Sequence, residues 1–204
     1  MLHSPYRLCL ILTKEYCALD PLEVVERSAA AGVDMIQVRE KAMSVPDLYD
    51  WGGQVLALGR RLRVPVLIND SVEVAQALDA DGVHLGQDDL SPVLARQVLG
   101  KDKLIGLSTH DVDQVEAAGA LPVDYLGFGP IFPTATKGYV EGVGPDRLVT
   151  ALAFTGHPLL AIGGITGENA WKIPKAAGVA ASSAICSTEE IAEKCHCLGR
   201  FDLY

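Results

Sequence analysis

The chain has 204 residues, 49% of them apolar, with only four Phe and two Trp, and a formal net charge of -9. Such a length fits one compact domain over residues 1–204 with a core mostly of Leu, Val, Ile and Ala. The negative balance argues against non-specific nucleic-acid binding but leaves phosphorylated small molecules open, because a few local donors outweigh a distant average charge. No window approaches the apolar length of a membrane span, and MLHSPYR lacks a secretory pattern. The five cysteines make no disulfide framework, so a reducing cytoplasmic setting is expected.

One unit recurs along the chain: a helical stretch ending in Ala and Gly, a short Val/Ile/Leu run, then polar residues, as in AAGVDMIQVR, DADGVHLGQ and KAAGVAASSAI. It predicts strands near Leu8–Leu12, Asp34–Val38, Val64–Ile68, Gly82–Leu85, Leu104–Leu107, Tyr125–Phe128, Leu159–Ile162 and Val179–Ser182. Helices are predicted near Leu22–Ala31, Val45–Arg61, Val72–Asp79, Pro92–Leu99, Val112–Ala118, Asp146–Phe154, Asn169–Ala176 and Thr188–Cys197. Ser44 and Asp111 suit helix N-caps, and Pro92 after Ser91 suits a first helical turn. Strict alternation with short loops calls for parallel strands covered by helices, and eight units predict an α/β fold of the closed (β/α)8 TIM-barrel type. The rival open doubly wound sheet would carry a glycine-rich fingerprint after its first strand, where LILTKEYCAL has none.

Chemistry in such a barrel gathers at the C-terminal ends of the strands. The second strand ends in IQVREK, where Gln37, Arg39 and Lys41 alternate and can converge on an anion; a solvated strand end is the bland reading, weakened by a buried amide's need for a partner. The third ends in LINDS, whose Asn69 and Asp70 could simply cap the next helix. The fourth ends in HLGQDD. His84 alone reads best as a satisfied interior histidine, but Asp70 with Asp89 could hold Mg²⁺ together with a phosphorylated substrate. Zinc is disfavoured, since Cys195-His196-Cys197 is too tightly spaced and falls in a predicted helix. The fifth ends in IGLSTH, with Ser108 placed to reach the centre and no nucleophile elbow or triad.

After the sixth strand, GPIFPTATKG brings Thr134, Thr136 and Lys137 as donors on a backbone stiffened by Pro130 and Pro133. Gly163 and Gly164 follow the seventh strand, permitting close approach by an anion, and Ser182 and Ser183 follow the eighth and open the final helix. The loops after strands seven and eight are a frequent phosphate site of this barrel. Two anion zones therefore emerge, one suited to a diphosphate and one to a single phosphate, which suggests joining two phosphorylated molecules.

IQVREK, LINDS, DGVHLGQDD, IGLSTH, DYLGFGPIFPTATKG, AIGGIT and GVAASSAI, in this order over nearly the whole chain, resemble the thiamin-phosphate synthase (thiamine-phosphate pyrophosphorylase) family. The resemblance implies a Mg²⁺-dependent transferase of thiamine biosynthesis. It would join 4-amino-2-methyl-5-hydroxymethylpyrimidine diphosphate to a thiazole phosphate, or its carboxylated form, releasing pyrophosphate and thiamine monophosphate. It further implies that Gln37, Arg39 and Lys41 serve the pyrimidine diphosphate, with Asn69 beside it. Asp70 and Asp89 would bind Mg²⁺, and Ser108 would sit by the reacting centre. Thr134 and Thr136 would place the thiazole phosphate, Lys137 would face the pyrophosphate, and Gly164, Ser182 and Ser183 would complete the thiazole-phosphate site. Homo-oligomerisation is left open. Alternatives are a thiazole tautomerase relative, which tends to lose the diphosphate and metal residues, and a non-catalytic phosphate-binding barrel. The chain departs from the family pattern at Lys14, in the short TKGYVEGVGP segment, and at Ala181-Ser182-Ser183, and CHCLGRFDLY has no family role.

Overall fold

Each apolar run becomes a strand because its residues are buried on both faces, by helices outside and by the opposite wall inside. In this computed structural model, which describes residues 5–134 and 141–199, β1 (Leu8–Leu12), β2 (Met35–Val38), β3 (Val66–Asn69), β4 (Gly82–Leu85), β5 (Leu104–Thr109), β6 (Tyr125–Phe128), β7 (Leu159–Ile162) and β8 (Gly178–Ala181) close into one barrel in chain order. All pairings are parallel, and β8 returns to β1 through Leu8↔Val179, Cys9↔Ala180 and Leu10↔Ala181. The expected (β/α)8 barrel is the observed fold.

The helices start where side-chain oxygens can take up free N–H groups. Asp20, Ser44, Ser91 and Asp111 cap α1 (Pro21–Ala30), α2 (Val45–Leu62), α4 (Pro92–Leu99) and α5 (Val112–Ala118). Ser71 caps α3 (Val72–Ala77), so the cap considered for Asn69 and Asp70 is supplied one residue later and leaves both free for other work. α6 (Pro145–Ala153) follows a glycine cap, as Pro at its first turn allows.

Two expected elements change. The helix predicted over Asn169–Ala176 is a single 3₁₀ turn, Ala170–Lys172. Pro174 holds the preceding Ile173 in an extended conformation (φ -80°, ψ 127°) and ends the turn. Ser182 and Ser183 open α7 (Ser183–Cys186), a short helix separate from the final one, α8 (Ile191–Gly199). Cys195 is buried and Cys197 exposed on α8.

The core has two parts. Leu8, Leu10, Leu12, Ile36 and Val38 pack outward under the helices, whereas Cys9, Met35, Leu67, Tyr125 and Leu160 fill the barrel interior. The base of the barrel is fastened by polar groups. Asp34, Asp81 and Asp124, each just before an even-numbered strand, accept backbone N–H groups from Leu8, Val66 and Ile105 at 3.2, 2.8 and 2.7 Å. Each also donates its own N–H to the carbonyl of that same residue. Arg96 on α4 adds a second fastening, donating to Gly100, Lys103 and Pro122 carbonyls and pairing with Asp124 at 2.7 Å. Arg96→Ala is expected to cost about 2 kcal/mol by stranding these acceptors. Thermal melts would show a fall of about 4–8 °C with kcat unchanged. Among the described residues no helix is long and apolar enough to cross a membrane.

Candidate active site

Alternation along each strand turns every second residue inward, and the inward residues change chemistry along the barrel axis. Met35 and Leu67 belong to the apolar interior, whereas Gln37 and Asn69, two residues further on, line an open cavity. On β4 and β5 the sequence Gly82, His84 and Gly106, Ser108 repeats this step from small to polar. The cavity measures about 250 Å³, and its wall includes Arg39, Thr134, Gly164, Ser182 and Ser183 as well.

On one wall the Gln37 amide donates to Asn69 Oδ1 at 2.5 Å, giving the buried glutamine its required partner. The backbone of Arg39 is fixed on both sides: its N–H reaches the Leu12 carbonyl at 2.9 Å, and its carbonyl accepts from Thr13 Oγ1 at 2.9 Å. Lys41 lies outside the cavity lining, and its ammonium pairs instead with Asp70. Glu40 accepts the Lys14 N–H at 2.8 Å. Asp70 has φ 64°, the left-handed region that Asp tolerates better than most residues. Its carboxyl titrates above the usual carboxylate value because it is partly buried; Lys41 opposes the rise and the neighbouring Asp89 adds to it. Asp89 accepts the Gly86 N–H at 2.6 Å, while Asp88 is exposed.

At the centre, His84 is a satisfied interior histidine, as expected: Nδ1 meets the Tyr125 hydroxyl at 2.8 Å and Nε2 meets Ser108 Oγ at 2.9 Å. Sequence reasoning missed Tyr125. Its signal was a phenol in the inward phase of a buried strand, where the hydroxyl needs a partner. Gln87 donates to the Ser108 carbonyl at 2.6 Å, and His110 Nδ1 lies 2.7 Å from the Gly129 carbonyl at the start of the loop after β6.

The opposite wall differs in part from expectation. Gly163 and Gly164 have φ 94° and 63°, and a Cβ on them would lie 2.5 Å from Pro130 Cβ and 2.4 Å from the Pro133 carbonyl oxygen. These glycines are therefore required by the loop packed against them, not solely by an approaching anion. Ser182 Oγ is buried beside the cavity with no hydrogen-bond partner among the described residues. Thr136 and Lys137 lie outside the described residues.

A family model described as thiamine monophosphate synthase matches residues 8–185. The chain belongs to the thiamine monophosphate synthase family. It is 43% identical over 191 residues to a thiamine-phosphate synthase of Chlorobium luteolum (92% of this chain, 88% of that one) and 39% identical over 176 residues to one of Persephonella marina (85% and 84%). A solved thiamine phosphate pyrophosphorylase of Pyrococcus furiosus superposes with TM-score 0.85 at 29% identity, covering 96% of this chain and 94% of that one. This thiamine monophosphate synthase family member is accordingly a transferase.

The family implies Mg²⁺. Among the described residues no group of three or more His, Cys, Asp or Glu side chains converges, which argues against an all-protein cage. The Asp70–Asp89 pair fits a hard cation that keeps several waters: burial, and then the neighbouring Asp89, oppose ionisation of Asp70, and a dication relieves that cost.

Proposed function

We propose that the cavity joins 4-amino-2-methyl-5-hydroxymethylpyrimidine diphosphate to a thiazole phosphate, giving thiamine monophosphate and pyrophosphate. The observation that carries this reading is one cavity with two unlike polar walls, Gln37, Arg39, Asn69 and Ser108 facing Gly164, Ser182 and Ser183. In it Gln37 and Asn69 orient the aminopyrimidine end, and Arg39 neutralises the diphosphate. Asp70 and Asp89 hold Mg²⁺, which when bound would offset the charge of the pyrophosphate group. Lys41, tied to Asp70, keeps that carboxylate in place.

The bond from the pyrimidine methylene carbon to the diphosphate oxygen breaks first, and its electron pair leaves with pyrophosphate. The aminopyrimidine ring delocalises the resulting cation, and the thiazole nitrogen then donates its lone pair to the methylene carbon. In this reading Ser108 lies beside the breaking bond, and the family resemblance assigns Lys137 to the departing group. Gly164, Ser182, Ser183 and Thr134 hold the thiazole phosphate, to which the family resemblance also assigns Thr136, so that the nitrogen is aligned and water is kept out. Such chemistry needs stabilised leaving-group charge more than a strong base.

Purified protein given both substrates and Mg²⁺ is expected to form thiamine monophosphate and pyrophosphate in equal amounts by mass detection. No coupled product, under conditions where a positive-control synthase works, would overturn the reading.

A further inference from the structure

We propose that Tyr125 is a positioning residue that fixes the tautomer of His84 and thereby makes Ser108 a hydrogen-bond donor toward the substrate. The proposal rests on Ser108 facing the reacting group, as in the function above.

His84, Gly106 and Tyr125 stand side by side on three adjacent strands, through the register pairs His84↔Gly106 and Gly106↔Tyr125. A Cβ on Gly106 would fall 2.2 Å from Tyr125 Cζ and 2.5 Å from His84 Nδ1, so the missing side chain on β5 lets a phenol of β6 reach an imidazole of β4. Gly127 opens the other side of the ring: a Cβ there would lie 3.3 Å from His84 Cε1. The imidazole is thus held between two glycines with its two nitrogens aimed at two hydroxyls.

The direction of these hydrogen bonds follows from burial. Tyr125 is 1% exposed, and burial pushes its ionisation well above the usual phenol value, so it keeps its proton. That buried O–H must donate, and among the described residues its hydrogen-bond partner is His84 Nδ1 at 2.8 Å. A neutral imidazole that accepts at Nδ1 carries its proton on Nε2. Nε2–H then donates to Ser108 Oγ at 2.9 Å, and the serine hydrogen is turned away from the ring into the cavity. The opposite tautomer would reverse both bonds and leave the phenol hydrogen unsatisfied in the apolar interior. Ser108 therefore offers its proton to an oxygen of the leaving diphosphate rather than a lone pair to the carbon it leaves.

The test is nitrogen NMR of the full chain with labelled histidine, the His84 signals being assigned by their loss in His84→Gln. Wild type is expected to show His84 protonated on Nε2 alone, and Tyr125→Phe to show a mixture of tautomers. In the same variant kcat should fall about tenfold with both KM values within about twofold, the pattern of a contact felt only in the transition state. An Nδ1-protonated ring in wild type overturns the proposal. So does Tyr125→Phe with an unchanged tautomer or an unchanged kcat. Should Tyr125→Phe not fold, the wild-type tautomer alone decides. Nε2 protonation in a protein that makes no coupled product would uphold the tautomer lock and overturn the functional reading instead.

Discussion

Asp70→Asn is expected to lower kcat/KM for the coupling by about 10²–10³-fold, the loss seen when a group that stabilises transition-state charge is removed, while slightly raising the melting temperature. Asn is the informative replacement because it tolerates φ 64° as Asp does, so the backbone is undisturbed. The stability sign follows from titration. Burial and Asp89 raise the Asp70 pKa in the folded protein above its ordinary value of 3.8, with Lys41 opposing them. A carboxyl so raised favours the fold when protonated, and stability is lost as pH rises through the folded pKa. The variant should therefore gain on wild type as pH rises above about 4 in paired thermal melts. Added Mg²⁺ should raise the wild-type melting temperature and leave the variant unmoved. A variant with wild-type turnover would remove Asp70 from the site, and a stability gap that narrows with pH would contradict the assigned cause.

Gly106→Ala is expected to destabilise the protein by about 3 kcal/mol, near the upper end of ordinary overpacking. The new methyl has no soft neighbour to displace: the phenol and imidazole it meets are rigid rings held by the barrel and by each other. Gly53→Ala is the matched control. It lies inside α2, where an added Cβ meets Leu78 Cδ2 at an ordinary 3.4 Å, and it should stabilise by about 0.5–1 kcal/mol. Denaturant titration of both variants reads the difference. Equal shifts would mean that the helical glycine and the barrel glycine are under the same constraint, against the geometry.

The strands were legible because glycine closes several of the helices, as at Gly32, Gly100 and Gly119, and an apolar run follows, a local signal that tertiary packing reinforces. Gln37, Asn69 and Ser108 were legible for the complementary reason: each interrupts an apolar period at the end where this barrel places its chemistry. What escaped were features settled between strands. Tyr125 looks like one more core aromatic until His84, brought close by a gap at Gly106, shows where its hydroxyl goes. The glycine pair after β7 was legible as a place for close approach, but the packing of Pro130, Phe132 and Pro133 against it from another loop was not. The helix expected before β8 followed from the recurring Ala-Gly ending in KAAGVAASSAI, and Pro174, a local signal against it, limits it to one turn. Asn69 and Asp70 were weighed as caps because their type suits one, and only the position of Ser71 frees them.

The aspartates at the base of the barrel carry a last consequence. Each grips one residue of the preceding odd strand through both its N–H and its carbonyl, at sequence separations of 26, 15 and 19 residues. The barrel is thus assembled from three locally closed two-strand modules. The fourth, β7 with β8, has Ala177 where the others have aspartate, and so has no carboxylate to close the grip. That module is the seam of the molecule: β8 also joins the far end of the chain to β1. Opening free energies are set locally, so amide exchange at the base of β7 and β8 is expected to be faster than at the base of the three carboxylate-closed pairs.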